Sequence, residues 1–360
     1  MTVAVDPIMI GCAPSSGSTY LADLIDSTEN CVCPPELYIF CVQQAYTFDH
    51  YFRVSAGRSD IAFANESIYG VPRPWFNRKY LHLFDLNDER LLSMLARSNC
   101  FGDFLTLLHG AFQSARMQSS THFFEKTPVN IGSASRFLEA FPGGRFVEIV
   151  RNGYDVVASL KRRGFTVYEA SLIWLFSVTT GFSIKSRRHV RITYENLREH
   201  TYDTLAALFK NLAIDTNLGR TERNYAHNQF RADLPRPSTW RPTAGALSKP
   251  ITQTRRGSED ELDDDERAFV SNVVLHDSSQ EQSSVLSFRD AMNALGYETQ
   301  LTVPSLKFLR DQEGAYLYRR RDARFHPWRL TYDTGPVRQP LVGWPVDNRA
   351  GTEVAFAEGK

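Results

Sequence analysis

Short apolar runs alternate along this chain with longer segments whose apolar residues recur every three or four positions, the two periods of buried strands and amphipathic helices. Ile8-Met9-Ile10 is the first such run; it is broken at Gly11, and from Ser18 the positions Leu21, Leu24 and Ile25 follow helical spacing. Residues 85–98 and 103–117 read as helices, the second with Phe104, Leu107, Leu108, Ala111, Phe112 and Ala115 on one face. Pro142-Gly143-Gly144 is a turn ahead of a strand at Arg145–Val150; Asn152-Gly153 is a turn after it, and Asp155–Lys161 opens another helix. A largely apolar helix over Glu169–Ser183 is followed by a short strand, Val190–Thr193, with Tyr194 at its end. One helix is expected over Arg198–Leu212, with Asn196 capping it or leading up to it and Leu205, Leu208 and Phe209 facing inward. Strands and helices that alternate in this way predict an α/β domain with a parallel sheet.

The pattern changes near Leu234. Residues 235–260 hold four prolines, two glycines and the basic residues Lys249 and Arg255-Arg256, which suits a linker or a loop that closes over a site. An acidic run from Glu259 to Glu266 leads into Phe269–Leu275, and a further helix is expected around Gln282–Leu295. Residues after Leu306 are rich in Arg and Pro; an extension, an oligomer contact and a lid are the readings available. The expected division is therefore a core over residues 1–235 and a C-terminal helical and irregular extension over 236–360, with a lid packed on that core as one reading of it.

Composition narrows the partners. The 360 residues carry 41 basic and 41 acidic side chains, so the chain has no global positive field of the kind that draws nucleic acid. No N-terminal signal pattern and no apolar stretch approaching ~20 residues appears, which points away from secretion and membrane spanning. Five cysteines, an odd number, argue for free thiols in a reducing, cytoplasmic compartment; Cys31-Val32-Cys33 lacks the second pair that a zinc site needs, so no metal is expected.

Candidate chemistry begins in the turn after the first strand. A strand that runs into Pro14-Ser15-Ser16-Gly17-Ser18-Thr19 and opens a helix aims several backbone N–H groups at one spot, with Ser and Thr hydroxyls beside them. A phosphate site and an ordinary capped turn both fit this pattern. A Walker A loop does not fit, because five residues rather than four separate Gly11 from Gly17 and no Lys follows. Arg151 falls at the carboxyl end of a predicted strand, where ligands collect in open α/β sheets, and Ser159 lies eight residues on. Pro34-Pro35 sets the chain direction ahead of Glu36 and an aromatic run that includes Tyr38, Phe40 and Tyr46; Tyr69, Trp75 and Phe76 follow, and pocket and core are equal readings for these rings.

Four segments, taken together and in order, resemble sulfotransferases that use 3′-phosphoadenosine 5′-phosphosulfate (PAPS). Pro14–Thr19 is similar to the family's 5′-phosphosulfate loop P-[RK]-S-G-[TS]-T, and Phe141–Ser159 to its 3′-phosphate region, with Arg151 and Ser159 in the matching places. Glu125-Lys126-Thr127-Pro128 resembles E-K-T-P, and Tyr194-Glu195-Asn196-Leu197 resembles Y-E-D-L. Pro-Pro-Glu-Leu is similar to the bacterial carbohydrate and natural-product branch. Two departures stand out: Ser15 occupies the place of the usual basic residue, and Gly153 that of the usual Pro.

The resemblance implies a P-loop-like three-layer fold, a central parallel β-sheet flanked by helices. It implies sulfuryl transfer from PAPS to a hydroxyl or amine of a small polar or natural-product acceptor. Ser15, Ser16, Gly17, Ser18 and Thr19 would hold the 5′-phosphosulfate with Lys126, Arg151 and Ser159 the 3′-phosphate, and Tyr194 the adenine side. Glu36 would be the general base, with Lys126 as its catalytic companion, and His50, His109 and His122 are the second choice for the base. Neither a nucleic acid nor a membrane is an expected partner; a homodimer is left open. An inactive nucleotide-binding scaffold and a nucleotide kinase are the competing functions.

Overall fold

The computed structural model describes residues 5–41, 43–47, 52, 63–64, 76–77, 81–116, 122–227, 261–277 and 284–299. His50, Tyr69, Trp75, Lys249, Arg255-Arg256 and the segment after Leu306 lie outside them. Two compact units are formed. One takes the described residues of Met1–Cys12, Gly17–Val150 and Ile184–Arg255, the other those of Ala13–Ser16, Arg151–Ser183 and Arg256–Lys360.

The first unit is built on five strands: β1 (Ile8–Gly11), β2 (Cys31–Val32), β3 (His122–Lys126), β4 (Arg145–Val150) and β5 (His189–Thr193). They pair in the order β2-β3-β1-β4-β5, every neighbour parallel. Ile8 lies beside Phe124 on one side and Arg145 on the other, and Ile10 beside Lys126 and Val147. Alternate side chains leave the sheet on opposite faces. Met9, Phe123 and Phe146 enter one core with helices α2 (Asp88–Ala96), α3 (Phe101–Arg116) and α4 (Ala134–Ala140). Ile8, Ile10, Phe124, Val147 and Ile149 enter the other with α1 (Ser18–Asp26) and the later helices. With both faces of the sheet covered, the domain has three layers, as expected. Phe40 and Phe52 are fully buried in the first core, which settles those two rings as packing residues.

The sheet's last strand feeds α7 (Tyr194–Glu199), α8 (Thr201–Asn211) and α9 (Leu218–His227). The single helix expected over Arg198–Leu212 is corrected to two. His200 adopts φ −131 and ψ 53, and the turn there brings Leu197 of α7 and Leu205, Leu208 and Phe209 of α8 into the same core. The cap of α7 is Thr193, whose hydroxyl accepts the Asn196 N–H, so Asn196 is not the cap.

The second unit packs α5 (Gly153–Arg162) and α6 (Val167–Ser183) with α10 (Asp264–Asn272), a hairpin of β6 (Val274–Asp277) and β7 (Ser284–Ser287), and α11 (Phe288–Ala294). The start of the helix expected from Gln282 is corrected to Phe288. Ser287 and Asp290 form a reciprocal capping box, which stops the helix there and leaves the preceding residues to the hairpin. Trp174, fully buried, meets the Phe288 ring at 4.3 Å between centroids. A Cβ on Gly153 would lie 2.3 Å from Phe288 Cζ and 3.0 Å from Met292 Sδ, so the missing side chain is what admits α11 to the start of α5.

Candidate active site

In the first unit, α1 begins at Gly17 with no side-chain cap. Gly17 has φ +89, and a Cβ there would fall 2.2 Å from Tyr194 Cδ2; the glycine therefore meets both a left-handed backbone and a ring laid against it. The Arg198 guanidinium lies 6.0 and 5.8 Å from the ring centroids of Tyr194 and Tyr20. The first N–H groups of a helix have no partner within it, so an uncapped N-terminus is a natural place for an anion. Thr19, one residue into that turn, accepts a hydrogen bond from Lys126 Nζ at 3.3 Å.

Lys126 ends β3 and its ammonium also donates to Glu36 Oε1 at 2.7 Å. Its side chain is only 5% exposed, whereas that of Glu36 is 19% exposed. Burial disfavours the ammonium, but the charge and hydrogen bond of Glu36 outweigh it and hold the Lys126 pKa above its ordinary value. The two sequence-predicted catalytic residues thus form one ion pair.

The neighbouring Glu125, fully buried, builds the scaffold for that pair. Its Oε1 accepts the Leu37 N–H at 3.0 Å and the Thr127 hydroxyl at 2.6 Å, and its Oε2 accepts Asn130 Nδ2 at 2.5 Å. Thr127 Oγ1 in turn accepts the Tyr38 N–H at 3.3 Å. The segment just after Pro34-Pro35 is therefore pinned to the end of β3, and Tyr38 is held at φ 62 with its hydroxyl donating to Glu36 Oε2 at 3.4 Å. Burial raises the Glu125 pKa, against the opposing hydrogen bonds of Thr127, Asn130 and Leu37 and the charge of Lys126.

The second unit holds the other half of the predicted set. Ser16 N–H donates to Ala13 O at 3.2 Å, closing a turn in which Ser15 adopts φ 71. Arg151 Nη1 donates to Ser15 O at 3.2 Å, and Nη2 pairs with Asp155 Oδ2 at 3.1 Å. Arg163 Nη1 donates to the Ser15 hydroxyl at 3.1 Å. Trp174 Nε1 donates to Arg151 O at 3.0 Å and fixes the backbone from which that arginine projects. Ser159, half-buried, lies one helical turn beyond Asp155 and one before Arg163. Ser16 Oγ is buried and has no hydrogen-bond partner among the described residues, a group that a bound oxyanion would satisfy.

His109 and His122 are placed elsewhere. His122 opens β3, at the opposite end of the strand from Lys126, and His109 packs its ring 5.6 Å from that of Phe123. Burial, with a small contribution from His122, lowers the His109 pKa to about 4, as suits a neutral core imidazole. Glu125, Asp155, Arg163 and Trp174 were not singled out from the sequence. Asp155 and Arg163 had a usable signal, the four-residue spacing that links Asp155, Ser159 and Arg163 along one helix face. Glu125 had its place beside Lys126 in the E-K-T-P segment, but nothing in the sequence marked it as the partner of Leu37.

Among the described residues no helix is long and apolar enough to cross a membrane. No curated protein matches the chain. Among solved structures, the sulfotransferase domain of the Synechococcus PCC 7002 olefin synthase is 16% identical and aligns with TM-score 0.49 over 82% of this chain and 97% of its own. The sulfotransferase domain from the curacin biosynthetic pathway is 15% identical, with TM-score 0.47 over 82% and 99%. A sulfotransferase of Mycobacterium avium is 13% identical, with TM-score 0.35 over 65% and 69%. The model described as "Sulfotransferase family" matches residues 7–217, more than half the chain, and spans all four sequence segments described above. The chain belongs to the sulfotransferase family.

Proposed function

We propose that the protein transfers the sulfuryl group of PAPS to a hydroxyl or amine of a small polar or natural-product acceptor, without a metal. The observation that carries this reading is the Lys126 ammonium, held between Glu36 Oε1 and Thr19 Oγ1 at the uncapped start of α1. A buried cation and a more exposed carboxylate are thereby presented together at an anion-binding helix end. The residues suit the donor: the Ser16 hydroxyl, without a hydrogen-bond partner among the described residues, suits an oxyanion, and the Arg151 guanidinium is the kind of group that recognises a phosphate.

PAPS supplies, when bound, an activated sulfuryl group and leaves as adenosine 3′,5′-bisphosphate. Gly17, Ser18 and Thr19, with Ser15 and Ser16, receive the 5′-phosphosulfate; Arg151 and Ser159 receive the 3′-phosphate; and Tyr194 borders the adenine. Glu36 takes the proton of the attacking hydroxyl or amine on its carboxylate. Proton uptake cancels the negative charge that faces Lys126, which leaves the ammonium to stabilise charge that grows on the leaving phosphate. In the same reading residues 1–235 carry the donor machinery and 236–360 extend it. The buried free thiols at Cys12, Cys31, Cys33 and Cys41 support a cytoplasmic setting.

The test is a screen of labelled-PAPS transfer to alcohols and amines, with calorimetry of adenosine 3′,5′-bisphosphate against ATP. The bisphosphate should bind and ATP should not; preference for ATP rejects the reading in favour of a kinase. Arg151→Ala should weaken the bisphosphate about 10- to 100-fold, the range of a lost charge-assisted hydrogen bond. Equal affinity removes Arg151 from the donor site. Bisphosphate binding with no transfer to any acceptor would leave a nucleotide-binding scaffold.

A further inference from the structure

The loop Pro14–Thr19 carries no cationic side chain of its own. The second unit nevertheless brings two guanidinium groups to Ser15, one on its carbonyl oxygen and one on its hydroxyl. Arg151 is already half engaged, through Nη2, by Asp155. Arg163 sits at the end of α5, a helical turn beyond Ser159, and reaches the loop through the hydroxyl of the very residue that replaces a base. Ser16, the next residue, has a buried hydroxyl without a hydrogen-bond partner among the described residues, and Ser15 adopts φ 71. A non-glycine residue in that region is strained and persists where its surroundings impose it.

We propose that Arg163 is a further donor-binding residue, which delivers to the Ser15–Ser16 turn the positive charge that the turn itself lacks. The inference rests on the PAPS reading and assigns to it a residue outside the recognised motifs. The serine is then no loss of the loop's cation but a relocation of it. A short hydroxyl at position 15 accepts the guanidinium from α5, and a long basic side chain there would compete for the same space. An arginine suits this role better than a lysine, because its planar guanidinium carries five N–H donors in a fixed fork, of which the Ser15 hydroxyl takes one.

The experiment measures adenosine 3′,5′-bisphosphate affinity by calorimetry, and thermal stability in its presence and absence, for four chains: wild type, Arg163→Ala, Arg163→Lys and Arg163→Ala with Ser15→Lys. Arg163→Ala should lose affinity about tenfold or more. Arg163→Lys should keep part of it, and Ser15→Lys should restore part of what Arg163→Ala loses, since the charge returns to the turn by the shorter route. Unchanged affinity in Arg163→Ala overturns the proposal. So does a loss that neither basic replacement recovers, which would mark Arg163 as a structural cap of α5. A wild-type chain that ignores the bisphosphate rejects the PAPS reading instead. The Arg163 assignment is then decided by the thermal shift with inorganic pyrophosphate: it stands if the shift shrinks in Arg163→Ala and falls if it does not.

Discussion

At the scale of single residues, the ion pair of Glu36 and Lys126 is the centre of the proposed chemistry, and each partner constrains how the other can be tested. Glu36→Gln should cut turnover at least ~100-fold, the lower end of what a placed general base contributes, while affinity for adenosine 3′,5′-bisphosphate stays within a few-fold. The same change leaves the Lys126 ammonium buried without its carboxylate, so the variant's melting temperature must be read alongside its rate. A rate that is unchanged with a working acceptor would remove Glu36 as the base. Arg151 stood out in the sequence at the end of a predicted strand, and Lys126 through its E-K-T-P segment. The interactions of Glu125 were not. Its hydrogen bond to Leu37 joins residues 88 positions apart, and only strand pairing and the course of the Pro34-Pro35 segment bring them together.

Among the elements, the contact of α11 with the first turn of α5 is the most informative. Ala has a better helix propensity than Gly by about 1 kcal/mol, so Gly153→Ala would stabilise an unencumbered helix. Here the new methyl meets the Phe288 ring, which is fully buried and backed by Trp174. Destabilisation of about 1–3 kcal/mol is expected, as for other overpacked cores, and Phe288→Leu should relieve part of it. A stabilised Gly153→Ala in denaturant unfolding would show that α11 does not rest there. The strand Arg145–Val150 was read from sequence with its observed bounds, since an apolar run between Pro-Gly-Gly and Asn-Gly has clear ends. The break at His200 was missed because apolar spacing alone runs through it. The start at Phe288 had a signal, the capping pair Ser287 and Asp290, that apolar periodicity overrode.

For the molecule as a whole, acid should destabilise the fold through its buried histidine. The folded chain holds the His109 pKa at about 4, below the value of about 6.5 in an unfolded chain. Between those values the unfolded chain binds a proton that the folded one refuses, so stability falls as pH drops from about 6.5 to about 4 and levels off below. His122, also lowered by burial, adds to this slope, whereas the raised Glu125 opposes it just above pH 4.5. Urea midpoints at pH 7 and pH 5 should differ less in His109→Gln than in the wild type. An equal difference would mean that His109 is free to charge in the folded state.

The sequence by itself determined the parallel α/β plan, the strand-turn-helix at Pro14–Thr19, and the family, because these are written in local periodicity and in short segments whose chemistry is carried by adjacent residues. Only the tertiary structure decided that Glu36 and Lys126 share one hydrogen bond, that Tyr194 rests on Gly17, and that Arg163 reaches the Ser15 hydroxyl. Those pairs lie 90, 177 and 148 residues apart, and it is packing of distant segments, not spacing along the chain, that sets which side chains meet.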